Sequence, residues 1–110
     1  MAYEVNTLAE LLQRTNEERY VERSDVRPSV LRAKVWHAIA SYPGCLGDNH
    51  SVARNREHAL SEVAYWLDDG FESQEYSARY VRGQLRRFGY CELRDGRIIT
   101  LEQHTASELF

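Results

Sequence analysis

Six arginines crowd the run SARYVRGQLRRFGYCELRDGRIITL (Ser77 to Leu101), and their spacing is the most chemically suggestive feature of the chain. Arg79, Arg82 and Arg86 stand three and four residues apart, which on a helix points three guanidinium forks the same way. Arg87 lies further round with Tyr80 and Gly83, and Arg94 and Arg97 flank Asp95-Gly96. A guanidinium is planar and permanently charged, so it grips phosphates, carboxylates and guanine edges two-handed. Arginine supplies 13 of the 14 cations, with Lys34 the only lysine. This composition favours recognition of an anion. Gly83 inside a helix costs about 1 kcal/mol relative to alanine; either a close partner or a packed neighbouring helix would account for it.

Other reactive side chains are sparse. Cys45, His50 and His58 are the one group with ligand-like spacing, while His37 and His104 stand far off in the chain. Zinc sites normally need four donors, so a loop thiol and two ordinary histidines are expected, with no metal and no cofactor. Cysteine beside histidine could form a nucleophile and base, yet no nucleophile motif or phosphate-cradling glycine loop accompanies the pair. No enzyme activity is expected. Cys45 and Cys91 form no CxxC pair and read as reduced thiols.

These side chains must be positioned by one small domain, since 110 residues with 43% apolar content suit a single modest core. No apolar run is long enough to span a bilayer, and Glu4, Glu10, Glu17 and Glu18 interrupt any secretory pattern. A cytoplasmic protein is expected. Net charge is −3, but residues 77–101 carry six arginines against Glu92 and Asp95. Residues 1–76 carry eight cations against thirteen carboxylates. Positive charge is thus confined to one segment, as a local anion-binding face requires.

Periodicity supplies the elements. Thr7 and Glu10 match a capping box opening a helix over about 7–20, with Leu8, Leu11 and Leu12 on its apolar face. Leu31, Val35, Ala38, Ile39 and Tyr42 form a helical stripe that predicts a second helix from Ser29 to Tyr42. Leu60, Val63, Ala64 and Leu67 predict a third over at least 57–69, with a start as early as Ser51, and Ala78, Val81, Leu85 and Phe88 a fourth that begins between Ser73 and Ser77 and runs to Phe88. Trp36, Tyr42, Tyr65 and Trp66 fall within these amphipathic segments and read as core or interface. Gly89 stops the last helix, and Asp95-Gly96 between extended runs signals a two-residue hairpin turn. That turn sets Arg94 opposite Arg97 and turns Cys91, Leu93, Ile98 and Thr100 towards the helices. The expected class is mainly α with a small β-hairpin.

An arginine-lined helix ending in RRFGY and passing into a hairpin closed by RDGRIITL resembles the second half of winged helix-turn-helix domains. The resemblance covers about residues 29–101, leaving 1–28 as an N-terminal helix and linker and 102–110 as a tail. It implies that 77–88 is a recognition helix and 90–101 a wing. DNA contacts would then come from Arg79, Arg82, Gly83, Arg86, Arg87, Arg94 and Arg97. The function so implied is a small double-stranded-DNA-binding protein, a transcriptional regulator or accessory factor. The N-terminal helix would serve as a homodimer element. The alternative is a protein-binding module, such as a small phage-type inhibitor or adaptor, using the same scaffold without DNA. The acidic residues Asp68, Asp69, Glu72 and Glu75 ahead of the fourth helix suit that alternative.

Overall fold

Residues 34–41, expected within a helix, form one of two inner strands of a four-stranded sheet instead. The computed structural model describes residues 2–41, 49–68, 78–93 and 96–110. In chain order these give α1 (Leu8–Asn16), α2 (Pro28–Leu31), β1 (Lys34–Ser41), β2 (Asn49–Ala53), α3 (Arg56–Asp68), α4 (Ala78–Phe88), β3 (Tyr90–Glu92) and β4 (Ile98–Thr105). Short 3-10 turns occupy Arg23–Asp25 and Ala106–Leu109. The strands form one antiparallel sheet in the order β2-β1-β4-β3. The fold is therefore α+β, and the mainly-α winged-helix architecture is corrected. Residues 42–48 with Cys45, residues 69–77 with Asp69, Glu72 and Glu75, and Arg94 with Asp95 lie outside the described residues.

The helical expectation for this segment fails for a physical reason. In KVWHAIAS both faces are at least partly covered, with Val35 at 0%, Ala38 at 0% and Ala40 at 2% exposure. A strand covered on both faces loses the clean polar alternation that marks β structure. The helical stripe at 31, 35, 38, 39 and 42 is then a coincidence of spacing. Only one turn of it, α2, is helical; it opens with Pro28 at its first position.

Even-numbered β1 residues face the α3–α4 layer. Trp36, Ala38 and Ala40 pack there with Ala53, Leu60, Val63, Val81, Leu85, Cys91, Ile99 and Leu101. Cys91 is a free thiol, and burial pushes its pKa up. On the other face, Val35 and Val52 are covered by Val5, Leu11, Leu12, Val26, Val30 and Ala106. Leu11 and Leu12 on the apolar face of α1 are thus buried within their own chain. Thr7 caps α1 by accepting from the Glu10 N–H at 3.2 Å, as the capping pattern predicts. The helix ends at Asn16 rather than near 20. Glu18 adopts φ 58°, and the Glu18 and Arg19 N–H groups return to Thr15 and Arg14 carbonyls at 3.1 and 2.9 Å, closing a Schellman cap.

Asn16 then protects the sheet edge. Its Nδ2 donates to the Val52 carbonyl and its Oδ1 accepts the Val52 N–H, both at 2.8 Å. One amide side chain imitates a neighbouring strand at this position, a device against unwanted pairing.

At the other edge the hairpin turn is one residue longer than expected. Leu93 N–H donates to the Arg97 carbonyl at 2.8 Å, and Gly96 N–H to the Leu93 carbonyl at 3.0 Å. Leu93 therefore faces Arg97 across a three-residue loop, with Gly96 at φ 92° in its left-handed position. This single-residue change inverts the face of β4. Ile99 and Leu101 meet the helices, while Ile98 and Thr100 do not. Phe88, assigned to the core stripe of α4, is 62% exposed.

Substitution tests the two assignments together. Leu60→Ala, at a fully buried site, is expected to cost about 2–5 kcal/mol in urea unfolding. Phe88→Ala is expected to shift stability by no more than about 0.5 kcal/mol, the usual range for surface changes.

Candidate functional site

The outward face of α4 carries the arginines. Helix α4 is held down by Val81 and Leu85, both buried against α3 and the sheet. It ends at Gly89, whose φ is 70° and whose missing Cβ leaves room for the Leu101 carbonyl, 3.2 Å from where that carbon would stand. At about 100° per residue, Arg79, Gly83, Arg86, Arg87 and Tyr80 then occupy the solvent arc; all five are exposed. Gly83 stands near the middle of that arc, and a Cβ added there would meet nothing within 4 Å. Packing within the described chain does not account for this glycine.

The arginines are not equivalent. Arg86 clamps α3 through two bonds to Glu57, Nε to Oε1 at 3.2 Å and Nη2 to Oε2 at 2.8 Å. The Arg86 hydrogen bonds hold the Glu57 carboxyl below its usual pKa, with the charges of Arg86, Arg56 and Arg82 lowering it further. Glu57 thus sits among three guanidinium groups, as a bound anion would. Arg82 is half-buried beside it. Arg87 stacks over its neighbour Phe88, 5.2 Å from the ring centre. Of the expected contact residues, Arg79, Arg82, Gly83, Arg86 and Arg87 come together on the helix. Arg97 does not join them: it is only 7% exposed, because the longer turn places it on the inner face of the hairpin. Arg94 lies outside the described residues.

A second cluster has no counterpart in the sequence pattern. Odd-numbered residues of β1 project away from α3 and α4, and His37 is flanked there by residues of two neighbouring strands. His50 of β2 and His104 of β4 lie diagonally on either side, and Glu102 lies directly opposite. Ring centroids are 5.6 Å apart for His37–His50 and 6.0 Å for His37–His104. His104 Nε2 is 3.1 Å from Glu102 Oε2 and its Nδ1 is 3.1 Å from Glu108 Oε2. Glu18 Oε1 stands 3.9 Å from His50 Nε2. His37 Nε2 is buried with no partner. Burial, then the neighbouring His50 and His104, push the His37 pKa below 6.5, with Glu102 opposing. Residues 37, 50 and 104 are scattered in sequence, and only strand register unites them.

Comparison of the chain with protein-family models, curated proteins and solved structures finds no match.

The histidine row carries a pH prediction. A histidine with a depressed folded pKa takes up its proton more readily in the unfolded chain, so acid favours unfolding. Stability should be indifferent to His37 well above pH 6.5 and fall as pH drops from 6.5 to the lower folded value. Urea midpoints measured from pH 7.5 downward in metal-chelating buffer should show this decline. In His37→Phe, which keeps a ring of similar bulk, the decline should be shallower.

Proposed function

We propose that the chain is a small nucleic-acid-binding protein that meets double-stranded DNA with the exposed face of α4. Gly83 carries this reading: an open glycine in mid-helix, bordered by Arg79, Arg86 and Arg87, with no neighbour in the described chain to account for it. A helix interior glycine costs about 1 kcal/mol, and it lets a phosphate backbone approach the helix closely while guanidinium groups close on either side. The Glu57 carboxylate among Arg56, Arg82 and Arg86 stands in for the phosphate that would occupy the same charge environment. The role is binding rather than catalysis, in a cytoplasmic protein acting on DNA as a regulator or accessory factor. None of the described helices is long and apolar enough to cross a membrane.

A second reading has its own observation. Tyr65, Tyr80 and Phe88 are 62%, 53% and 62% exposed on the same helical layer. Tyrosine with arginine is the composition of protein-binding hot spots, so a protein partner is the alternative occupant.

A salt series separates the two. Affinity for a mixed-sequence duplex should fall steeply with salt, and Arg79→Ala with Arg87→Ala should shrink the log–log slope by roughly 0.9 for each phosphate no longer neutralised. Absence of binding at about 50 mM salt would remove the DNA reading in favour of the protein partner. Glu57→Gln should tighten DNA binding by releasing Arg86. Gly83→Ala should raise stability by about 1 kcal/mol while weakening DNA binding; a stabilised variant with unchanged affinity would refute the close approach.

A further inference from the structure

The arginine face makes no use of the histidine row on the opposite side of the sheet. We propose that His37, Glu102 and His104 bind a divalent transition-metal ion, with zinc as the reference ion. Imidazole and carboxylate are its ordinary donors, and adjacent strands bring these three together on one face.

Three observations support the site. His104 Nε2 and Glu102 Oε2 are 3.1 Å apart. Two donors each about 2.0–2.1 Å from one tetrahedral zinc stand roughly 3.3 Å apart, so this pair already has ligand-to-ligand spacing.

His104 is also oriented from behind. Its Nδ1 lies 3.1 Å from Glu108, and Glu108 is itself fixed at the third position of the C-terminal 3-10 turn, where it accepts the Thr105 N–H at 3.3 Å. An Nδ1–H donated to a carboxylate leaves Nε2 with a free lone pair, the arrangement found behind zinc-bound histidines.

His37 supplies the third donor. Its Nε2 has no hydrogen-bond partner despite being shielded from solvent, and its ring centroid is 6.0 Å from that of His104. Among the described residues, no group of three such side chains stands assembled to hold an ion. Closure therefore requires the His37 ring to turn about its terminal torsion, which is soft and two-fold. Glu102 and His104 are 55% and 29% exposed, so an ion can reach them from solvent. His50 lies on the far side of His37 and is not needed; water completes the coordination.

The full chain titrated with zinc chloride at pH 7.5 should bind one ion with a Kd of about 10 µM or tighter by calorimetry. Cobalt(II) should develop the intense visible bands of a four-coordinate site. His37→Phe, His104→Phe and Glu102→Gln should each weaken binding at least tenfold. Exposed Glu108, which touches no ion, offers a variant with little risk to folding: Glu108→Gln should cost about 10–100-fold. His58→Ala, remote from the row, should change nothing. No heat and no cobalt spectrum at about 100 µM metal would overturn the proposal. So would binding that survives His104→Phe and Glu108→Gln alike, since the ion would then be held elsewhere.

Discussion

Eight consecutive residue pairs between β1 and β4, from Lys34 with Thr105 to Ser41 with Ile98, hold the molecule in its layered form. These strands are about sixty residues apart in the chain, so the pairing closes long loops at an entropic cost that grows only slowly with length. Burial compensates on both sides. One face of the pair lies under α3 and α4, and the other is covered at one end by the N-terminal segment. Because side chains alternate along each strand, the same pairing directs Trp36, Ala38 and Ala40 to one core. It also directs Val35 to the second core and His37 to the open row.

Local signals in the sequence translate well where a single element decides the outcome. The Thr7 cap, the bodies of helices α3 and α4 and the Gly89 stop all depend on neighbours within one turn, whereas an α3 start as early as Ser51 is corrected because Asn49–Ala53 form β2. Segment 34–41 is illegible because burial on both faces removes its alternation, leaving an apolar pattern that fits a helix as well. The hairpin misleads more subtly. Asp95-Gly96 does mark a turn, but Gly96 serves as the left-handed residue of a three-residue loop. That shift exchanges Ile98 and Thr100 for Ile99 and Leu101 on the core face, and takes Arg97 out of solvent.

The candidate sites divide along the same line. Arg79, Arg86 and Arg87 are legible because helical spacing alone brings them together, and no tertiary contact is required. His37, His50, Glu102 and His104 are not, since their proximity arises from register across three strands. Sequence spacing instead groups His50 with Cys45 and His58. His58 lies at the start of α3, its N–H taken by the Asn55 cap at 2.9 Å, and its neighbourhood shares nothing with the row. A histidine cluster built by antiparallel pairing has no fixed spacing to search for.

The sheet also separates two surfaces of opposite character. Its α3–α4 side presents arginines on α4, whereas the other side presents Glu102 and Glu108 beside the histidines. With a net charge of −3, the molecule as a whole repels a polyanion, so under the proposed function DNA approach is productive from one side only. The carboxylates then act as an orienting device as well as a surface, because wrong-face encounters are penalised before contact. A divalent ion on the histidine row would soften that penalty. Its effect at the arginines is limited, because two packed layers intervene and charges are screened beyond about 10 Å at 0.1 M salt. The two sites share no side chain, so substitutions in one should combine nearly additively with those in the other. The pleat of β1 is what keeps them apart.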